Sequence, residues 1–273
     1  MAILLDRLRP RKPSPPKPGP SLGSAVGQAI GEAAEAATTD VRPAAPVAAI
    51  VERPRAALRR SRLPTFVAVA GLGGFGMLYA LVRRDRTAAF DAALTLRIQA
   101  SKNRALDTLM TVASWPGFPP QSRIITPAII GSMAAVGLRV EALSQTLAWG
   151  TALLSTVAKQ FMGRSRPVAG KDLRVVAAPL GGSSFPSGHV LTYVGTYGFL
   201  AFLVATLVRP AAIRRPLLAL LVGLVALVGP SRIQKGHHWP TDVTASYLLG
   251  TSYLVGVVAI YRRLKARRVA PRA

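Results

Sequence analysis

The chain has 273 residues, half of them hydrophobic, with no cysteine and a formal charge of +24, which excludes disulfides and thiolate metal sites. A soluble domain of this length does not need several uncharged apolar runs of 15–21 residues, so these runs mark a polytopic membrane protein. The positive charge does not point to nucleic acid: aromatics do not interleave with the basic residues, many of which flank apolar runs where anionic headgroups attract them.

The opening MAILLDRLRPRKPSPPKPGP has a brief apolar stretch broken by Asp6 and Arg7. No cleavable signal peptide is expected there, and the first membrane helix should serve as the insertion signal. Residues 1–62 are rich in Pro, Ala and Arg without a sustained apolar run, which predicts a disordered basic cytoplasmic tail. Within it, residues 22–37 can form a short solvated helix with Leu22, Val26 and Ile30 on one face.

Six apolar segments follow, at residues 64–82, 124–138, 142–158, 188–208, 216–230 and 243–261. A span needs about 20 apolar residues, so the second and fifth segments should extend into their flanks. The expected fold is all-α: a six-transmembrane-helix bundle over residues 63–262, ending in a short basic tail at 263–273. Residues 83–123 are too polar to span. Phe90, Leu94 and Ile98, then Leu106, Leu109, Met110 and Ala113, fall at helical spacing and predict two amphipathic helices lying at the interface or packing on the bundle, with core packing of their apolar faces expected ahead of a lid over the lipid entrance. Trp115-Pro116-Gly117-Phe118-Pro119-Pro120 breaks the second of them.

Alternation of six spans puts both termini on one side. The cations beside the first span (Arg53, Arg55, Arg59, Arg60 and Arg62), in the turns (Arg139, Arg209, Arg214 and Arg215) and after the last span (Arg262, Arg263 and Lys265) make that side cytoplasmic. This implies an inner-membrane protein whose remaining loops lie outside.

Those outer loops carry three blocks at the ends of apolar runs: Lys159 with Arg166-Pro167, Pro186-Ser187-Gly188-His189, and Ser231-Arg232 with His238 and Asp242. As patterns they are K-x6-R-P, P-S-G-H and S-R-x5-H-x3-D. Phosphoryl transfer needs the charge on the phosphate oxygens stabilised and the nucleophile aligned. Lys159, Arg166 and Arg232 are candidates for the first task, because a guanidinium can donate two hydrogen bonds at once. Ser187 can cap the fourth span, Gly188 lets backbone approach a ligand, and the free N–H groups of a helix start favour an anion. His189 stands at the edge of a span, where an ionisable group is costly and points to function. His238 and Asp242 are one helical turn apart, so the carboxylate can orient one ring nitrogen and leave the other free to attack. Pro240 suits a helix's first turn. Arg164, Lys171, Arg174 and Lys235 read as snorkelling cations, and His237 as a bystander. Between Lys159 and Asp242 the only carboxylates are Asp172 and Asp242, too few for a two-metal site.

The three blocks, in this order and spacing, resemble the type-2 phosphatidic acid phosphatase superfamily, which also contains the vanadium-dependent haloperoxidases. The resemblance covers residues 64–261. It implies that His238 forms a phosphohistidine and that His189 protonates the leaving oxygen; with the carboxylate count above, no cofactor or metal is expected. It departs from the family at Ser246, where a glycine is common. The implied function is an integral-membrane lipid phosphatase acting on a polyprenyl pyrophosphate, phosphatidate or phosphatidylglycerol phosphate, the first ranked slightly ahead. The expected partners are therefore the lipid substrate and membrane lipids, with no nucleic acid. The alternatives are a haloperoxidase-like enzyme binding vanadate, against which the apolar spans argue, and a non-enzymatic lipid-phosphate binder or transporter. The intact His238 and Asp242 argue against the latter.

Overall fold

The computed structural model describes residues 62–170, 172–176 and 181–269. The expectations for residues 1–61, for Lys171 and for residues 270–273 lie outside the described residues. Among those described, the chain is helical throughout, with no strand. The helices are α1 (Leu63–Arg83), α2 (Ala88–Gln99), α3 (Arg104–Ser114), α4 (Gln121–Ala135), α5 (Arg139–Trp149), α6 (Thr151–Gln160), α7 (Gly188–Leu207), α8 (Ala211–Gln234) and α9 (Pro240–Val269).

Four of these, α1, α7, α8 and α9, are long and apolar enough to cross a membrane. The outward faces of α1 and α8 leave Leu63, Phe66, Val69, Leu72, Leu220 and Val222 exposed. Such surface is unfavourable in water and at home against lipid tails. The other two predicted spans are helical in a different form. The segment 124–138 falls mostly in α4, only 15 residues long. The segment 142–158 is split at Gly150 into α5 and α6. The Tyr253 hydroxyl donates to the Leu147 carbonyl at this break (2.8 Å), so a polar group exposed by the interruption has a partner.

Helix α9 is the spine. On one side it packs along α1, where Gly71 allows the close approach: a Cβ there would meet Ser252 Oγ and the Leu248 carbonyl. On the other side α7, α8 and α9 enclose a core that includes Tyr193, Tyr197, Leu221, Val228 and Val243. Val140 of α5, Phe199 and Leu203 of α7, and Val257 and Tyr261 of α9 form a second core. A π turn at Val194–Gly198 interrupts α7, and Gln145 Nε2 donates to the Thr196 carbonyl within it (3.1 Å). Such turns widen a helix locally and recur near functional sites.

The amphipathic helices form as predicted, but α2 buries another face. Phe90 is exposed, Leu94 and Ile98 are half-buried, and the fully buried positions are Thr87, Asp91 and Thr95. On α3, Met110 and Ala113 are buried, while Leu109 is exposed. Core packing of the whole apolar stripes is thus not what these helices do. The buried polar stripe of α2 has partners of its own, beside the three sequence blocks.

Candidate active site

Residues 164–166 and 183–184, between α6 and α7, pair with one another and bring the blocks together. The Ser184 N–H donates to the Arg164 carbonyl (2.9 Å), and the Ser184 hydroxyl donates to the Ser165 carbonyl (3.2 Å). Lys159, in the last turn of α6, donates from Nζ to the Ser183 carbonyl (2.6 Å). Arg166 Nη1 donates to the His237 carbonyl (2.8 Å). These bonds hold the first two blocks against the α8–α9 turn.

A cavity of about 290 Å³ results, with Lys159, Arg166, Gly188, His189 and His238 in its wall. Five of the eight predicted site residues therefore share one space. The other three, Ser187, Arg232 and Asp242, are fully buried around it. Arg166 Nε, Ser187 Oγ and His189 Nε2 are buried without a protein partner among the described residues. Buried polar groups are normally satisfied, so these three are available for an anion's oxygens.

His238 precedes α9 rather than lying on it. Its Nδ1 lies 2.7 Å from the Ser184 carbonyl, and its Nε2 lies 3.3 Å from Arg166 Nη1. A carbonyl only accepts and a guanidinium only donates, so the proton sits on Nδ1 and Nε2 carries the lone pair, which accepts from Arg166 Nη1. Burial pushes the imidazole down to about 4, against the raising influence of Asp242. The ring is neutral at ordinary pH, as a nucleophile requires.

The predicted orienting role of Asp242 needs correction. Its Oδ2 is 3.7 Å from His238 Nδ1, beyond hydrogen-bonding distance, and the Ser184 carbonyl is the nearer partner. Asp242 instead accepts from the Trp239 N–H (2.9 Å), which closes the first turn of α9 in the manner of a capping box, with Pro240 opening the helix. Its other oxygen takes a hydrogen bond from Arg164.

Arg164 is likewise no snorkelling cation. Its guanidinium lies between two buried carboxylates, 2.6 Å from Asp91 and 2.5 Å from Asp242. Asp91 also accepts from the Thr241 backbone N–H (2.9 Å) and hydroxyl (2.8 Å). A single ionic cluster thus ties α2 to the start of α9. Lys235, also read as snorkelling, pairs with Asp107 at 2.8 Å, and that hydrogen bond lowers the Asp107 carboxyl below its ordinary value. Arg174 engages Gln99 through its backbone, accepting from Gln99 Nε2 (2.7 Å).

Ser187 stands at the N-cap of α7, but its hydroxyl makes no capping bond. Its N–H donates to Ser246 Oγ (2.7 Å), which donates to the Asp242 carbonyl (2.6 Å). The serine standing where a glycine is common therefore links the P-S-G-H turn to α9. Phe118 covers the inner wall, its ring 4.7 Å from the His189 ring and 4.8 Å from the Arg232 guanidinium. Gly117 must lack a side chain, since a Cβ there would collide with the His189 ring.

His237, read as a bystander, is buried between Arg232 and Val176. Asp91, Arg164, Ser246, His237 and Phe118 were all missed or misread in sequence. Only Asp91 left a regular signal: Thr87, Asp91 and Thr95 recur every four residues, a polar stripe as periodic as the apolar one beside it. Among the described residues no group of three or more His, Asp or Glu is placed to hold a metal ion.

Residues 141–266 match the PAP2 superfamily. The chain is 32% identical over 115 residues to phosphatidylglycerophosphatase B of Bacillus subtilis (strain 168), a match covering 40% of this chain and 53% of that protein. It therefore spans about half the length of this curated relative. A solved structure with a similar fold is the transmembrane PAP2-type phosphatidylglycerolphosphate phosphatase from Bacillus subtilis. Its TM-score is 0.63 at 23% identity, covering 76% of this chain and 100% of that one.

Proposed function

From the match of residues 141–266 to the PAP2 superfamily, we propose that this chain is an integral-membrane lipid phosphatase of that superfamily, working through a phosphohistidine on His238. The observation that carries this reading is the His238 tautomer. Ser184 holds the proton on Nδ1, so Nε2 carries the lone pair at a cavity whose wall also holds Lys159 and Arg166, and attack needs Arg166 Nη1 to pass from Nε2 to the phosphate. Nε2 attacks phosphorus as the bond to the lipid oxygen breaks, and His189, an imidazolium once the phosphate dianion is bound beside it, gives that oxygen its proton from Nε2. Water then attacks the phosphorus, losing a proton to His189, and the P–N bond breaks to release phosphate and neutral His238. Lys159, Arg166, Arg232 and the start of α7 counter the charge developing on the equatorial oxygens.

The names of the relatives put phosphatidylglycerol phosphate first on the panel to be tested, ahead of polyprenyl diphosphate and phosphatidate. The purified protein should release phosphate from at least one of these in excess chelator, and orthovanadate should inhibit it. Activity lost in chelator and restored by magnesium would overturn the metal-independent mechanism.

The proposal also sets the cavity on the outer side of the inner membrane, because the flanking cations mark the opposite ends of the spans as cytoplasmic. A cysteine replacing Lys102, exposed between α2 and α3, should react with an impermeant reagent in intact cells. One replacing Ala212, at the start of α8, should react only after permeabilisation; the reverse pattern inverts the topology.

A further inference from the structure

His237 lies beside the nucleophile but does not face the substrate cavity. Its Nδ1 is 3.1 Å from Arg232 Nη1 and its Nε2 is 2.8 Å from the Val176 carbonyl. The guanidinium has no lone pair to offer and the carbonyl has no proton. Only one tautomer satisfies both: Nε2–H donates to Val176, and Nδ1 accepts from Arg232. Burial pushes this imidazole down to about 4, so the accepting form persists at ordinary pH.

Arg232 is itself 1% exposed and confined on three sides. Phe118 lies under its face (4.8 Å). The Ser231 hydroxyl accepts along one edge, 3.4 Å from Nε and 3.2 Å from Nη2. His237 accepts from Nη1. A guanidinium has five N–H bonds. These contacts use three and leave one on each terminal nitrogen, a pair suited to two oxygens of one tetrahedral anion.

We infer that His237 is a positioning residue for phosphate binding, holding the Arg232 guanidinium so that its two remaining N–H bonds form a fork for the phosphoryl oxygens. The inference rests on the phosphatase reading above. The competing role, pinning the 172–176 loop, is already served without it. The Val176 N–H donates to the Lys235 carbonyl (2.9 Å), and Gln99 bonds the Arg174 backbone in both directions, at 2.7 and 3.0 Å.

Two amide substitutions separate the roles. In His237→Asn, Oδ1 occupies the Nδ1 position and keeps the Arg232 contact, while the reach to Val176 is lost. In His237→Gln, the terminal amide reaches the Nε2 position and keeps Val176, with no acceptor at Nδ1. Turnover and orthovanadate inhibition are to be measured on the purified full-length chain. His237→Gln, and His237→Leu if it folds, should raise KM and weaken vanadate inhibition roughly tenfold or more, the size of one lost hydrogen bond to a charged group. His237→Asn should recover most of that loss. Equal behaviour of the Asn and Gln variants, or Gln as the better one, assigns His237 to the loop and overturns the inference. Arg232→Ala is the separate control: unchanged vanadate inhibition there overturns the phosphate role of Arg232 itself, whatever His237 does.

Discussion

His238→Ala is expected to lower phosphate release by at least about a thousandfold, because removing a covalent nucleophile removes the pathway rather than one contact within it. The variant should still fold. The cores around Tyr193 and Phe199 do not include His238, and the ring's main anchor is a single bond to the Ser184 carbonyl. Wild-type pH dependence supplies a second readout. The attacking form is neutral, and burial holds the imidazole near 4, below its ordinary 6.5. The acid limb of kcat/KM, which reports free-enzyme ionisations, should therefore lie near pH 4. The same depression makes the contribution of His238 to stability complete above pH 6.5 and lost as the pH falls through about 4. Near-normal turnover by His238→Ala would sink the covalent mechanism. An acid limb at pH 6–7 would show that the ring is not desolvated as described.

Arg164→Met should be the most destabilising single change at the site. It removes the one guanidinium that lies between Asp91 and Asp242, which are 1% and 0% exposed. Breaking a buried ion pair from one side costs on the order of 3–5 kcal/mol, because the remaining charge stays buried without its partner. Here two carboxylates are left. Thermal unfolding in detergent should show the loss, and turnover should fall with it, since Asp242 closes the first turn of α9 beside His238. Adding Asp91→Asn to Arg164→Met should restore part of the stability by removing one uncompensated charge. An unchanged melting temperature in Arg164→Met would show that the cluster does not hold α2 to α9.

The sequence by itself determined the helical membrane architecture and the blocks that meet at the cavity. Both are local patterns. Apolar runs report the solvent around a helix, and K-x6-R-P, P-S-G-H and S-R-x5-H-x3-D place cations and imidazoles at helix ends wherever those helices lie. What a residue bonds to across the bundle was not. The spacing of His238 and Asp242 suggested a direct contact, but the turn before α9 directs the ring to the Ser184 carbonyl instead. Arg164, Lys235 and His237 looked like surface residues because their partners lie far away in sequence: Asp91 is 73 residues from Arg164, Asp107 is 128 from Lys235, and Val176 is 61 from His237. Phe90 and Leu109 looked like core residues because periodicity names an apolar face without saying what it will meet. Only the tertiary structure decides that pairing. In a buried, low-dielectric site the cost of an unpaired charge outweighs a local apolar stripe, so α2 turns its Thr87–Asp91–Thr95 face inward to Arg164 and Thr241.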